Sequence, residues 1–182
     1  MPYSKINFQA IKIINFGVNK HKMPKYFAYI VSSLFLFCAC NSEPAQKWNE
    51  LDLLSHGIPF SILAPDSAEV VVTDFGSIVK DVTIKKGKDY SIQIFASDAR
   101  ITDIEKIKSG QLNEVKSNPY YSKIVQDYPE GFIYESKLDS TRTNYGFKYI
   151  KLQGNKEYLI SNGMIGSFDL DQVKKMYGAI TQ

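Results

Sequence analysis

The chain has 182 residues, 44% hydrophobic and 23% charged, with a formal net charge of +3, ordinary values for one globular domain plus a leader. The positive charge is local: residues 1–40 hold five of the 22 basic side chains (Lys5, Lys12, Lys20, Lys22, Lys25) and none of the 19 acidic ones, which leaves 17 against 19. A slightly acidic remainder has no electrostatic basis for binding nucleic acid, so that class of partner is excluded.

From Tyr26 to Ala39 the chain reads YFAYIVSSLFLFCA, 14 residues without a charge. As a helix it spans roughly 21 Å, short of the roughly 30 Å of a bilayer core. The length suits the apolar region of a secretory signal, with Lys25 supplying the preceding positive charge. Met23 is the expected true start, because MPKYFAYIVSSLFLFCAC is a compact signal without a preamble.

At the end of this run Cys40 follows Ala39 and precedes Asn41, Ser42 and Glu43. This junction resembles a bacterial lipoprotein lipobox, in which a cysteine after a small residue is acylated and becomes the new N-terminus. Cys38 follows the bulky Phe37 and fits that role less well; Phe37 and Cys38 also depart from the usual residues before the cleavage point. The resemblance implies a leader over residues 1–39, a lipidated tether over 40–50 and one domain over 51–182. It places the domain in the bacterial cell envelope, anchored through Cys40 to the outer membrane, on its periplasmic or surface side. One acyl chain binds a bilayer only marginally, whereas two or more hold stably. Ordinary secretory cleavage near Ala39 is the competing reading. The C-x-C spacing is not the redox C-x-x-C motif. No cysteine and only one histidine, His56, follow Cys40, too few for a zinc site, and no cofactor is expected.

The tether, SEPAQKWN, has the composition of an irregular chain. Strand signals then follow. Ile58, Phe60 and Ile62 alternate up to the Pro65-Asp66 turn, and Glu69 to Thr73 is rich in β-branched residues. VKDVTIKKG and DYSIQIFAS both alternate, with Tyr90, Ile92 and Ile94 opposite Ser91, Gln93 and Phe95. Lys86-Gly87-Lys88-Asp89 between them reads as a hairpin loop.

The period then changes to helical. Thr102-x-x-Glu105 has the form of a capping box, and Ile104, Ile107, Leu112 and Val115 share one helix face. Gly110 weakens this helix, and Asn118-Pro119 predicts a second helical piece through Ile124 and Val125. Three strands follow: FIYESKL, NYGFKYIKLQG and KEYLISNGMIG, with a Gly154-Asn155 turn between the last two. Asp169-x-x-Gln172 then caps a helix whose apolar stripe is Leu170, Val173, Met176, Tyr177 and Ile180.

The expectation is an α+β domain: an antiparallel sheet of about six strands, a long, broken mid-chain helix and a C-terminal amphipathic helix packed on the sheet. The opening G-x-P-F-S-I-x-x-P strand and closing helix resemble the Mog1/PsbP-like α/β/α sandwich over residues 57–180. That resemblance implies an adaptor, assembly factor or binding module and carries over no catalytic residue.

The chemistry-bearing residues are sparse. His56 has Ser55, Ser61 and Asp52 near it in sequence, but G-x-S-x-G is absent. The acids Asp127, Glu130, Asp139, Asp169 and Asp171 include two that an N-cap and first-turn charge explain. Tyrosine stands out: Tyr120, Tyr121, Tyr128 and Tyr134 fall within 15 residues, a candidate recognition patch for an envelope protein partner, or simply strand packing. The sequence thus favours a non-enzymatic, lipid-anchored envelope protein that binds or assists assembly. The alternative is a small envelope hydrolase or carbohydrate-active enzyme using carboxylates or His56.

Overall fold

The computed structural model describes residues 47–76, 79–164 and 166–181. The leader, Cys40 and most of the tether lie outside the described residues. Among the described residues nine strands and two α-helices follow in the order β1 (Trp48–Asp52), β2 (Ser61–Pro65), β3 (Glu69–Asp74), β4 (Val79–Lys86), β5 (Tyr90–Asp98), α1 (Ile104–Ser117), β6 (Tyr121–Tyr128), β7 (Gly131–Lys137), β8 (Thr143–Gln153), β9 (Lys156–Asn162) and α2 (Leu170–Gly178). The α+β class holds, with more strands than expected.

Seven strands form one sheet in the order β3-β4-β5-β9-β8-β7-β6, every pairing antiparallel. Two meanders, β3-β4-β5 and β6-β7-β8-β9, meet where β5 pairs with β9, placing Ile94 opposite Ile160. β1 and β2 form a separate hairpin in which Trp48 faces Pro65. A 3₁₀ turn at Leu54–His56 interrupts that hairpin and closes on Gly57 in the left-handed region (φ 79°), a conformation glycine adopts without steric cost.

Because side chains alternate, cross-strand partners share a face. One face carries Val82, Ile84, Tyr90, Ile92, Ile94, Tyr158, Ile160, Phe147 and Ile133, all buried. The β1–β2 hairpin and α2 cover it with Leu53, Ile58, Ile62, Val173, Met176 and Tyr177. Full burial of each Ile or Phe stabilises the fold by roughly 1.5–3 kcal/mol. α2 is held in place by the expected capping box: Asp169 Oδ1 accepts from the Gln172 amide at 2.8 Å, and Gln172 Oε1 accepts from the Asp169 amide at 2.9 Å.

Three expectations are corrected. The second helical piece is the strand β6. Asn118 closes α1, its Oδ1 accepts from the Tyr120 amide, and its carbonyl accepts from Tyr121. The chain therefore turns, and the β-favouring Tyr121, Ile124, Val125 and Tyr128 pair with β7. The mid-chain helix is one 14-residue element capped by Asp103, whose carboxylate accepts from the Lys106 amide, not by Thr102. Finally, Trp48-Asn49-Glu50, read as tether, begins β1, because the Trp48 ring packs edge-on against Tyr90 at 5.1 Å.

The two sheet edges differ. β6 is broken by two register shifts. β3 is regular and leaves Val71 and Val72 exposed.

Tyr177 is the anchor of α2. Its ring stacks on Tyr128 at 4.5 Å and meets Phe147 and Tyr149 edge-on. Its hydroxyl is buried and, among the described residues, has no hydrogen-bond partner. A buried unpaired hydroxyl costs about 1–3 kcal/mol. Tyr177→Phe is therefore expected to raise the urea midpoint at unchanged m-value; a clear fall in the midpoint would mean that the hydroxyl is satisfied by water.

Candidate functional site

Among the described residues the opposite face of the sheet is covered on one side only. It carries Phe132 and Tyr134 on β7, Gly146, Lys148 and Ile150 on β8, Leu159 and Ser161 on β9, and Ser91, Gln93, Phe95 and Ser97 on β5. Farther out lie Val79, Asp81, Thr83 and Lys85 on β4, then Glu69, Val71 and Thr73 on β3. α1 packs on β8 and β6 with Ile107 and Val115 buried. Among the described residues the β3-β4-β5 side has no such cover, and its strands alternate apolar-in and mostly polar-out, as a half-buried antiparallel sheet does.

Two cavities open on this face. One, of about 460 Å³, is lined by Val71, Thr83, Lys85, Gly87, Lys88, Ser91, Gln93, Gly163 and Met164. Gln93 forms part of its floor. It is buried, and its Nε2 donates to Asp81 Oδ2 at 2.8 Å, while Thr83 Oγ1 donates to Asp81 Oδ1 at 3.4 Å. The far wall is set by glycine: the Gly163 amide donates to the Ser91 carbonyl at 2.9 Å, and a Cβ on Gly163 would strike Ser91 Oγ. The next residue, Met164, is 82% exposed.

The second cavity, of about 640 Å³, lies at the other end of the same strands. Ser97, Asp98, Arg100, Lys106, Ile107, Gly110 and Glu157 are among its lining residues. Burial raises the Glu157 carboxyl above its usual range. Asp98 is held by Lys156 at 2.8 Å.

The tyrosines do not form one patch. Tyr128 is half-buried on the covered face, stacked on Tyr177. Tyr134 lies on the other face across from Gly146, where a Cβ would meet its ring at 2.5 Å. Burial, with a smaller contribution from Glu114, raises its phenol above the ordinary range. Tyr121 is half-buried opposite Ser136, and Tyr120, 51% exposed, lies just outside β6. His56 is half-buried on the 3₁₀ turn, and Asp52 accepts from the Leu54 amide there. Among the described residues no hydrogen bond joins His56 to a serine or carboxylate.

Most of the acids have local partners. Asp127 pairs with Lys108 at 2.6 Å. Asp139 accepts from the Thr141 and Arg142 amides and from the Arg142 guanidinium, which lowers its carboxyl well below the usual range. Asp169 is the α2 cap. Cys40 lies outside the described residues. Among those residues no helix is long and apolar enough to cross a membrane.

Glu135 was not singled out by the sequence, although its parity in FIYESKL puts a charge on the inward side with Ile133. It is 6% exposed. Ser122 Oγ donates to it at 2.9 Å, Tyr145 OH at 3.4 Å, and the Lys123 ammonium lies at 3.4 Å. The Ser122 bond, with help from Lys123 and against burial, lowers its carboxyl.

The chain matches no protein-family model, no curated protein and no solved structure.

Two outcomes follow. Because the folded-state pKa of Glu135 is depressed, its stabilising contribution is present above the ordinary glutamate pKa of about 4.3 and is lost as pH falls below it. Glu135→Gln should therefore lower stability at pH 7 and flatten the acid limb of a stability–pH curve measured by urea melts. Tyr120→Ala should leave the melting temperature nearly unchanged, whereas Tyr128→Ala, which strips the stack from Tyr177, should cost about 2–4 kcal/mol.

Proposed function

We propose that this protein is a lipid-anchored module of the bacterial cell envelope that works by binding rather than by catalysis, with Cys40 as the acylated residue. The observation that carries the binding half is the asymmetry of the sheet among the described residues: one face is closed by α2 and the β1–β2 hairpin, while the other leaves β3-β4-β5 open beside a walled cavity. The anchoring half rests on the Ala39-Cys40-Asn41-Ser42 junction after an uncharged run. The Mog1/PsbP-like resemblance belongs to the same reading, supported by a helix on each side of an antiparallel sheet. A membrane surface, through the anchor, and an envelope protein or envelope component are the partners of this reading; the outer membrane is its location.

A second reading, a small hydrolase or carbohydrate-active enzyme, is favoured by one observation. Glu157, whose carboxyl is raised by burial, lines the same cavity as Asp98, and two carboxyl groups lining one cleft are what glycoside hydrolysis uses. Turnover of chromogenic glycosides that disappears in Glu157→Gln would select it.

The primary reading is tested with the full chain in a Gram-negative host fed an alkyne fatty acid. Wild type should carry the label and sediment with membranes, and Cys40→Ala should lose both properties. A photo-crosslinking residue at position 73, on the open face, should give envelope adducts that one at position 174 on α2 does not. Equal yields from the two positions would remove the open face from the reading.

A further inference from the structure

We propose that the cavity between the β4–β5 hairpin and Met164 is a binding site for a polyol phosphate, the chemistry carried by glycerophosphate headgroups of anionic lipids. The proposal deepens the binding reading above and does not depend on acylation of Cys40.

The polar groups of the cavity are sorted by depth. Its floor offers acceptors. Gln93 turns its Nε2 to Asp81, so its Oε1 remains, and among the described residues no donor meets it. Thr83 also spends its proton on Asp81 and keeps oxygen lone pairs. Asp81 lies behind both, half-buried and acceptor-only when ionised. A phosphate pushed to this floor would meet acceptor oxygens; neutral hydroxyls, which donate, fit it.

The rim has the opposite character. Lys85 and Lys88 are exposed on the hairpin, and no carboxylate lines the cavity. Lys85 pairs with Glu69 at 3.5 Å, with both side chains about half exposed. A pair so open to water contributes at most about 1 kcal/mol, so a phosphate can share that ammonium. Hydroxyls below and a phosphoryl group above describe one ligand class, a phosphorylated polyol. The volume of about 460 Å³ lies within the range of small-ligand sites, roughly 300–1,000 Å³.

One further observation favours a lipid as the bearer of that group: Val71 and the protruding Met164 are apolar walls at the mouth, where a hydrocarbon chain leaving the phosphate would lie.

The test uses the full chain carrying Cys40→Ser and titrates four probes followed by amide NMR: glycerol 1-phosphate, glycerol, inorganic phosphate and dihexanoyl phosphatidylglycerol. Glycerol 1-phosphate is expected to shift the amides of Ser91, Gln93 and Gly163 saturably, and to bind at least about tenfold more tightly than glycerol or inorganic phosphate. Lys85→Gln/Lys88→Gln should weaken it at least about tenfold while leaving the melting temperature within a degree or two. If the short-chain lipid binds tighter still and Met164→Ser removes that gain, the bearer is a lipid; if the two bind equally, it is a free polyol phosphate. Shifts scattered away from the cavity, affinity for inorganic phosphate equal to that for glycerol 1-phosphate, or an unweakened double-lysine variant would overturn the proposal.

Discussion

The pairing of β5 with β9 is the contact on which the rest of the molecule depends. Each meander is a series of hairpins that sequence neighbours can close at small entropic cost. The β5–β9 ladder joins residues far apart in sequence, from Ile92 opposite Asn162 to Asp98 opposite Lys156, and closing so long a loop is a cost that local contacts do not recover. Burial of Ile92, Ile94 and Ile160 under α2 offsets it. The seam also sets the site. The Ser91 carbonyl, at the edge of the ladder, takes the Gly163 amide, so the loop that carries Met164 is fixed by the same junction that unites the sheet.

At the Asn162 end the neighbouring β8–β9 ladder is finished partly by side chains instead of strand backbone. β9 stops at Asn162, and Asn162 Oδ1 accepts from the Phe147 amide at 3.0 Å. The chain returns so that the Phe168 carbonyl takes the Tyr145 amide, and Asn144 Oδ1 takes the Phe168 amide. Backbone groups left unpaired by the shorter strand are thus satisfied, and Phe168 is delivered fully buried to the start of α2.

Much of this was legible from periodicity. The parity of DYSIQIFAS separated Tyr90, Ile92 and Ile94 from Ser91, Gln93 and Phe95, and the structure puts these sets on opposite faces. The Asp169/Gln172 cap and the Val173, Met176, Tyr177 stripe were also readable, because caps and amphipathic helices are local. β6 was not, since Asn-Pro serves a helix start and a turn equally well and only pairing with β7 decides between them. β1 was hidden because its partner, β2, lies across a turn that carries no hairpin signature. The cavity could not be read either: its floor residues are ordinary solvent-side positions of a half-covered sheet, and their meaning comes from Gly163 returning beside Ser91. The tyrosine cluster shows the converse. Proximity in sequence brought together residues that strand alternation then sent to opposite sides.

The two edges of the sheet have different physical fates. β6 is interrupted by its register shifts and has charged Lys123 and Asp127 along it, devices that resist strand addition. β3 has a regular backbone, with Val71, Val72 and the nearby Phe75 facing water. Among the described residues β3 thus offers backbone amides and carbonyls beside exposed apolar side chains, the kind of edge to which another strand can add at high concentration. A lysine at position 72, which is 41% exposed, would blunt it.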